Sequence, residues 1–235
     1  MLPIRDLNPT RRIPYVTYVL LGLNVLVFIY EVMLPLPGLE RLFMNWGVVP
    51  YQVTNAFSLP VALTFITSMF LHGGVAHIIG NMLYLWIFGD NVEDCMGAVL
   101  YTIFYFMSGI LAGLAQVLVG PDLMIPSVGA SGAVAGVLGA YLVMFPEARV
   151  HTLIFFGFFV RRASIPAGIV LGGWFILQFF NGVLSLGMMQ AGGVAWFAHI
   201  GGFLFGLIGG WLCKKSHPHV DYTRQPRYPQ RWQGW

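Results

Sequence analysis

Six apolar stretches govern what this chain can fold into. They run roughly from Tyr15 to Met33, Ala76 to Gly89, Ala98 to Gly120, Val128 to Phe145, Ile165 to Leu184 and Val194 to Cys213. A bilayer accepts about 20 consecutive apolar residues as a helix, and only 9% of the 235 residues are charged. Soluble domains carry about 25%, so this chain cannot wet an ordinary surface. A soluble enzyme and a nucleic-acid-binding protein are both excluded, the net charge of +3 arising from basic ends and not from a basic face. Cys95 and Cys213 sit at the ends of apolar segments with no ligand-like spacing. The chain reads as all-α: a polytopic membrane protein with a six-helix bundle at residues 15–213, an N-terminal segment at 1–14 and a basic tail at 214–235.

The basic residues set the expected orientation. With six spans both ends lie on one side, and eleven of the twelve Lys and Arg residues then share that side, leaving only Arg41 opposite. Both termini are therefore expected in the cytoplasm, across a bacterial-type plasma membrane. The first apolar run lacks a small-residue cleavage site and reads as a retained helix. Spans two, four and six run inward from the outer surface. Val61 to Leu71 and His151 to Val160 are too short to span and read as segments lying in the interface. The tail after Cys213, with His217 and His219, reads as a solvated or surface-hugging end.

Polar residues inside spans need a partner or a watery cavity. His77 and Asn81 in the second span, Ser131 in the fourth and His199 in the sixth all fall within the first turns of inward-running helices, at similar depth. Ser131 lies in Gly129-Ala130-Ser131-Gly132, where its hydroxyl would sit beside free N–H groups at a helix start. A simple helix cap fits that tetrapeptide as well. Gly132 and Gly136 on the fourth span, and Gly202 and Gly206 on the sixth, make small faces that allow close approach. That contact would bring Ser131 to His199, whose neutral imidazole suits a general base. His77 and Asn81 are four apart and share a helix face; as hydrogen-bond donors they could hold an oxyanion with the Ser131 N–H, or simply tie the outer loop to the helix tops. His72 reads as having that tying role. There is no HExxH, no pair of intramembrane aspartates, and no acid placed to orient His199. The pattern is a dyad. A metal site from His72, His77 and His199 has no supporting ligand spacing.

With these residues assembled, the chain resembles the rhomboid intramembrane serine proteases from Tyr15 to Cys213. The family pattern is a histidine and an asparagine four apart in the second helix, Gly-x-Ser-Gly in the fourth and Ala-His-x-x-Gly in the sixth. Here they read His77-Ile78-Ile79-Gly80-Asn81, Gly129-Ala130-Ser131-Gly132 and Ala198-His199-Ile200-Gly201-Gly202. The resemblance implies Ser131 as nucleophile, His199 as base and acid, and His77 and Asn81 on the oxyanion. It also implies transmembrane proteins as substrates, a lipid bilayer as surroundings and no cofactor. Two positions depart: a Trp-Arg pair found in many members is replaced by Ala62-Leu63-Thr64, and an aromatic residue one turn after the serine by Ala135.

Overall fold

The computed structural model describes residues 1–157, 159–187 and 193–216. In chain order the elements are β1 (Leu2–Asp6), α1 (Tyr15–Met33), α2 (Leu36–Trp46), α3 (Pro50–Asn55), α4 (Leu59–Thr67) with a 3-10 turn at Ser68–Phe70, and α5 (Val75–Met96). There follow α6 (Ala98–Val119), α7 (Ser131–Met144), β2 (Arg149–Phe156), β3 (Phe159–Pro166), α8 (Ala167–Ser185) and α9 (Trp196–Ser216). Of the expected basic tail, the part holding His217, His219 and the last three arginines lies outside the described residues.

A helix occupies each of the six apolar stretches, in a mostly helical membrane bundle. Among the described residues, α1, α6, α8 and α9 are long and apolar enough to cross a membrane alone. A fifth crossing is reached if α5 is counted with α4 and its turn, a pair bent by 82°. Helix α7 has only 14 residues. Helix α5 continues past Gly89, taking Asp90, Glu93 and Asp94 into its last turns.

Helix α7 is the axis of the core. It is buried on every side, from Gly132 through Tyr141 and again at Met144, as expected of a helix apolar all round. Its small residues let α9 close in until main chain meets main chain. A Cβ on Gly202 would collide with the carbonyl oxygen of Gly132, and one on Gly206 with that of Gly136. Ala112 and Ser108 of α6 fill the third side against Gly132 and Gly136.

Polar contacts fix the end of the bundle at which α7 finishes. The Glu93 carboxylate accepts hydrogen bonds from the N–H groups of Val16 (2.9 Å) and Thr17 (2.8 Å) and from the Thr17 hydroxyl (2.8 Å), capping α1 from a neighbouring helix. Asp94 takes the Arg11 N–H at 3.1 Å, and the Tyr141 hydroxyl donates to Asp6 at 2.8 Å.

The small sheet here was not expected from the sequence. Strands β1, β2 and β3 form an antiparallel sheet in chain order. The stretch His151 to Val160, read above as an interfacial segment, lies within its β2–β3 hairpin, and the first residues of the chain supply its third strand. Alternation explains the hairpin: Val150 and Thr152 point into the protein while Arg149 and His151 do not. The partner of β2 lies about 150 residues away in sequence, beyond the reach of a local pattern.

Candidate active site

Ser131 is the first residue of α7, so its own N–H lacks an intrahelical acceptor. The approach to it is pinned from two sides. Val48 and Ser127 exchange backbone hydrogen bonds at 3.0 and 2.8 Å, and the Gly129 N–H donates to the Ser68 carbonyl at 2.9 Å. Gly129 has φ +129°, and a Cβ there would lie 2.7 Å from both Cε1 and Nε2 of His77. Only glycine satisfies both constraints, and it lets the His77 ring reach the entrance of α7.

His199 sits in the first turn of α9, opposite the start of α7. Its Nε2 lies 2.8 Å from Ser131 Oγ, and its Nδ1 lies 2.8 Å from Oε1 of Gln178 on α8. An amide oxygen only accepts, so Nδ1 carries the proton and Nε2 presents its lone pair to the serine hydroxyl. Trp174, one turn before Gln178, lies along the imidazole at 5.9 Å and 34°; Trp196 meets it edge-on at 6.1 Å. With Ala135 one turn after the serine, the aromatic contacts of His199 come from α8 and from the start of α9.

His77 receives a long hydrogen bond from the Gly73 N–H to Nδ1, 3.4 Å, which leaves Nε2 to carry the proton facing Gly129 and Ser131. Asn81 follows one turn later, buried, with its Nδ2 lacking a hydrogen-bond partner. All four residues singled out from the sequence line one cavity of about 910 Å³, together with Trp174 and Gln178. Gln116 of α6 also lines it, with a buried and unpartnered Oε1.

His72 does tie the outer segment down, but through its backbone. Its N–H donates to both Glu31 oxygens of α1, at 3.1 and 3.2 Å. The ring is 1% exposed, makes no hydrogen bond and packs edge-on against His77 at 5.1 Å. Among the described residues, no three His, Cys, Asp or Glu side chains are placed to hold a metal ion.

Gln178, Trp174 and Trp196 escaped the sequence analysis. Gln178 meets the criterion that found the others, a strongly polar residue inside a span. As an amide, Gln178 falls outside the acids that usually supply the third member of a triad.

Residues 61–216, about two thirds of the chain, match the family model described as the Rhomboid domain. The chain belongs to the rhomboid family. It is 30% identical over 216 residues to the Saccharomyces cerevisiae protein "Rhomboid protein 1, mitochondrial", a match covering 89% of this chain and 56% of the yeast protein. The Homo sapiens "Presenilin-associated rhomboid-like protein, mitochondrial" is 27% identical over 219 residues, covering 88% and 50%. "RHOMBOID-like protein 4" of Arabidopsis thaliana is 31% identical over 159 residues, covering 68% and 36%. This rhomboid spans about half the length, or less, of these relatives. Next to its departure at Ala62-Leu63-Thr64, α4 packs through Phe65 on α6, so tightly that a Cβ at Gly113 would lie 2.9 Å from the ring.

Proposed function

We propose that this integral membrane protein is a serine endopeptidase that hydrolyses peptide bonds in or near transmembrane segments of other membrane proteins. The observation that carries the reading is the chain of contacts from Ser131 Oγ through His199 to Gln178, each link 2.8 Å. Ser131 Oγ attacks the scissile carbonyl carbon while His199 Nε2 takes its proton, and the imidazolium then protonates the departing amine. In the second half, His199 takes a proton from water as it attacks the acyl carbon. The adduct then collapses, the bond from that carbon to Ser131 Oγ breaks, and the imidazolium returns the proton to Oγ. Gln178 holds the ring in the productive tautomer, a role that the carboxylate fills in a triad. The Ser131 N–H, His77 Nε2–H and Asn81 Nδ2 face the position where negative charge develops, and count for most in the transition state.

The length of α7 supports a recessed site. Fourteen residues span about 21 Å, against about 30 Å of hydrocarbon. With the Met144 end at one surface, Ser131 lies about 9 Å below the other, inside the water-accessible hollow that hydrolysis requires. A substrate helix must unwind there, which weak helix formers at its cut site favour.

Residues 15–213 form the catalytic membrane domain in this reading, flanked by cytoplasmic segments 1–14 and 214–235. The basic-residue distribution supports cytoplasmic termini in a bacterial-type plasma membrane. The word "mitochondrial" in the names of the yeast and human relatives points instead to an organelle, and membrane fractionation decides between them.

The test is cleavage of a transmembrane substrate by the purified protein in liposomes. Ser131→Ala and His199→Ala should each lower turnover by at least about 10³ while keeping the wild-type melting temperature, and a fluorophosphonate should label the wild type but not Ser131→Ala. Undiminished cleavage by either folded variant overturns the assignment. Substrate binding by the wild type without cleavage would make the protein a binder of transmembrane segments and not a protease.

A further inference from the structure

The β2–β3 hairpin extends beyond the part of the sheet that the helices cover. Its register sorts the side chains into two faces. Val150 pairs with Ile165, Thr152 with Ala163 and Ile154 with Arg161 on one face; His151 pairs with Ser164, Leu153 with Arg162 and Phe155 with Val160 on the other. The first face is turned to the bundle, since Val150 and Thr152 are fully buried and Ala167, just after β3, bonds the Ala148 carbonyl. Burial fades after Thr152 and Ala163, and β1 pairs with β2 only as far as Leu153. The eight-residue strands run about 26 Å, so their distal half projects past the helices.

That distal half is apolar and basic together. Phe155 is 54% exposed, Val160 57% and Phe159 80%, and Arg161 and Arg162 are exposed beside them. From Arg149 to Pro166 the sequence holds no Asp or Glu. In water such a surface is a liability. Here the helices leaving the sheet cross a bilayer, so the bundle-facing side of the hairpin, once past the helices, looks onto the headgroups. Phe159 and Arg161, two residues apart on β3, share that side.

We propose that the distal β2–β3 hairpin is a membrane-surface anchor for anionic lipid. Phe159 seats at the boundary between headgroups and acyl chains, and Arg161, on the same side of the hairpin, engages lipid phosphates. The occupant is the headgroup layer of the protein's own bilayer, chosen by Arg161 beside the exposed Phe159 ring on a hairpin without acidic residues. The anchor is independent of the chemistry at Ser131.

A nitroxide on Phe159→Cys, with Cys95 and Cys213 replaced by serine, reports depth in nanodiscs of phosphatidylcholine alone or with 30% phosphatidylglycerol. The label should be shielded from a water-soluble nickel chelate and reached by oxygen, more so with phosphatidylglycerol. Arg161→Gln should weaken that lipid dependence, by about fivefold in the ratio of seated to free hairpin, whereas Arg162→Gln, on the opposite face, should leave it nearly unchanged. Equal nickel accessibility in both discs, or dipolar broadening from a second labelled copy, overturns the proposal. If the labelled variant fails to fold, hydrogen exchange on the wild type decides: amides of residues 160–162 must exchange more slowly with phosphatidylglycerol present, and unchanged rates refute the anchor.

Discussion

The two ends of α7 use polar groups in opposite ways. At the Ser131 end, donors stand without acceptors: the Ser131 N–H at the helix start, Asn81 Nδ2, and the His77 ring held by one long bond. They surround a cavity. At the Met144 end, carboxylates are engaged with donors: Glu93 with the start of α1, Asp94 with Arg11, and Asp6 with Tyr141. Asp6 belongs to the small sheet at this end. An unsatisfied buried donor costs stability, and Asn8 Nδ2 at the second end is one as well. Only the donors of the first end line the cavity, where an incoming charge would offset the cost, so the first end reads as machinery and the second as foundation. Mutations should therefore separate activity from stability according to the end they touch.

The largest effect is expected at the open end. Asn81→Ala should lower kcat by about 10² to 10³, or about 2.7–4 kcal/mol of transition-state stabilisation. Its melting temperature should hardly move, because Nδ2 has no hydrogen bond to lose. A fall in melting temperature with kcat per folded molecule intact would remove Asn81 from the site and break the contrast. Glu93→Ala is the mirror image. It strands the Val16 and Thr17 amides and should cost about 3 kcal/mol of stability, read as an earlier thermal transition in the same detergent, with turnover per folded molecule unchanged.

Gln178→Leu sharpens the comparison within the open end. Without an acceptor for Nδ1–H the imidazole is free to take the wrong tautomer, and kcat should fall by about tenfold to a hundredfold, less than for loss of the base itself. The KM should stay within about twofold, and Gln178→Glu should restore part of the rate; a KM effect alone would make Gln178 a substrate contact.

The smallest effect is one of pH at the closed end. Burial pushes the Asp6 carboxyl up from 3.8 to about 6, against the pull of its hydrogen bond from Tyr141. The folded state thus favours the protonated form, and folding takes up a proton between about pH 4 and 6. The contribution of Asp6 to stability grows as pH falls through 6 and is lost as pH rises through it. Relative to Asp6→Asn, the wild type should melt lower at pH 7.5 and approach the variant at pH 5. Parallel melting temperatures at both pH values would show that Asp6 does not titrate in this range.

What was legible in the sequence follows the range of the forces involved. Apolar runs and glycine spacing are local, so the helix positions and the meeting of Gly132 and Gly136 with Gly202 and Gly206 could be anticipated. His77, Asn81, Ser131 and His199 stood out because polar residues are costly in lipid. The β1–β2 pairing, the capping of α1 by Glu93 and the approach of Gln178 to His199 join distant segments through single contacts, which leave no periodic trace. His72 shows a different limit: the link to Glu31 belongs to its amide, which side-chain identity does not encode.

The contact between α7 and α9 has a consequence for control. Where glycine carbonyl meets glycine, there are no side chains to change rotamer, and the spacing of the two backbones is as stiff as the helices themselves. Ser131 and His199 hang from the first turns of that rigid pair, so in the proposed reaction they stand aligned before any substrate arrives. A centre assembled in advance cannot be selective by assembling only for the right guest. In the proposed reaction, discrimination therefore acts at the threshold, in how readily a segment leaves the lipid and uncoils.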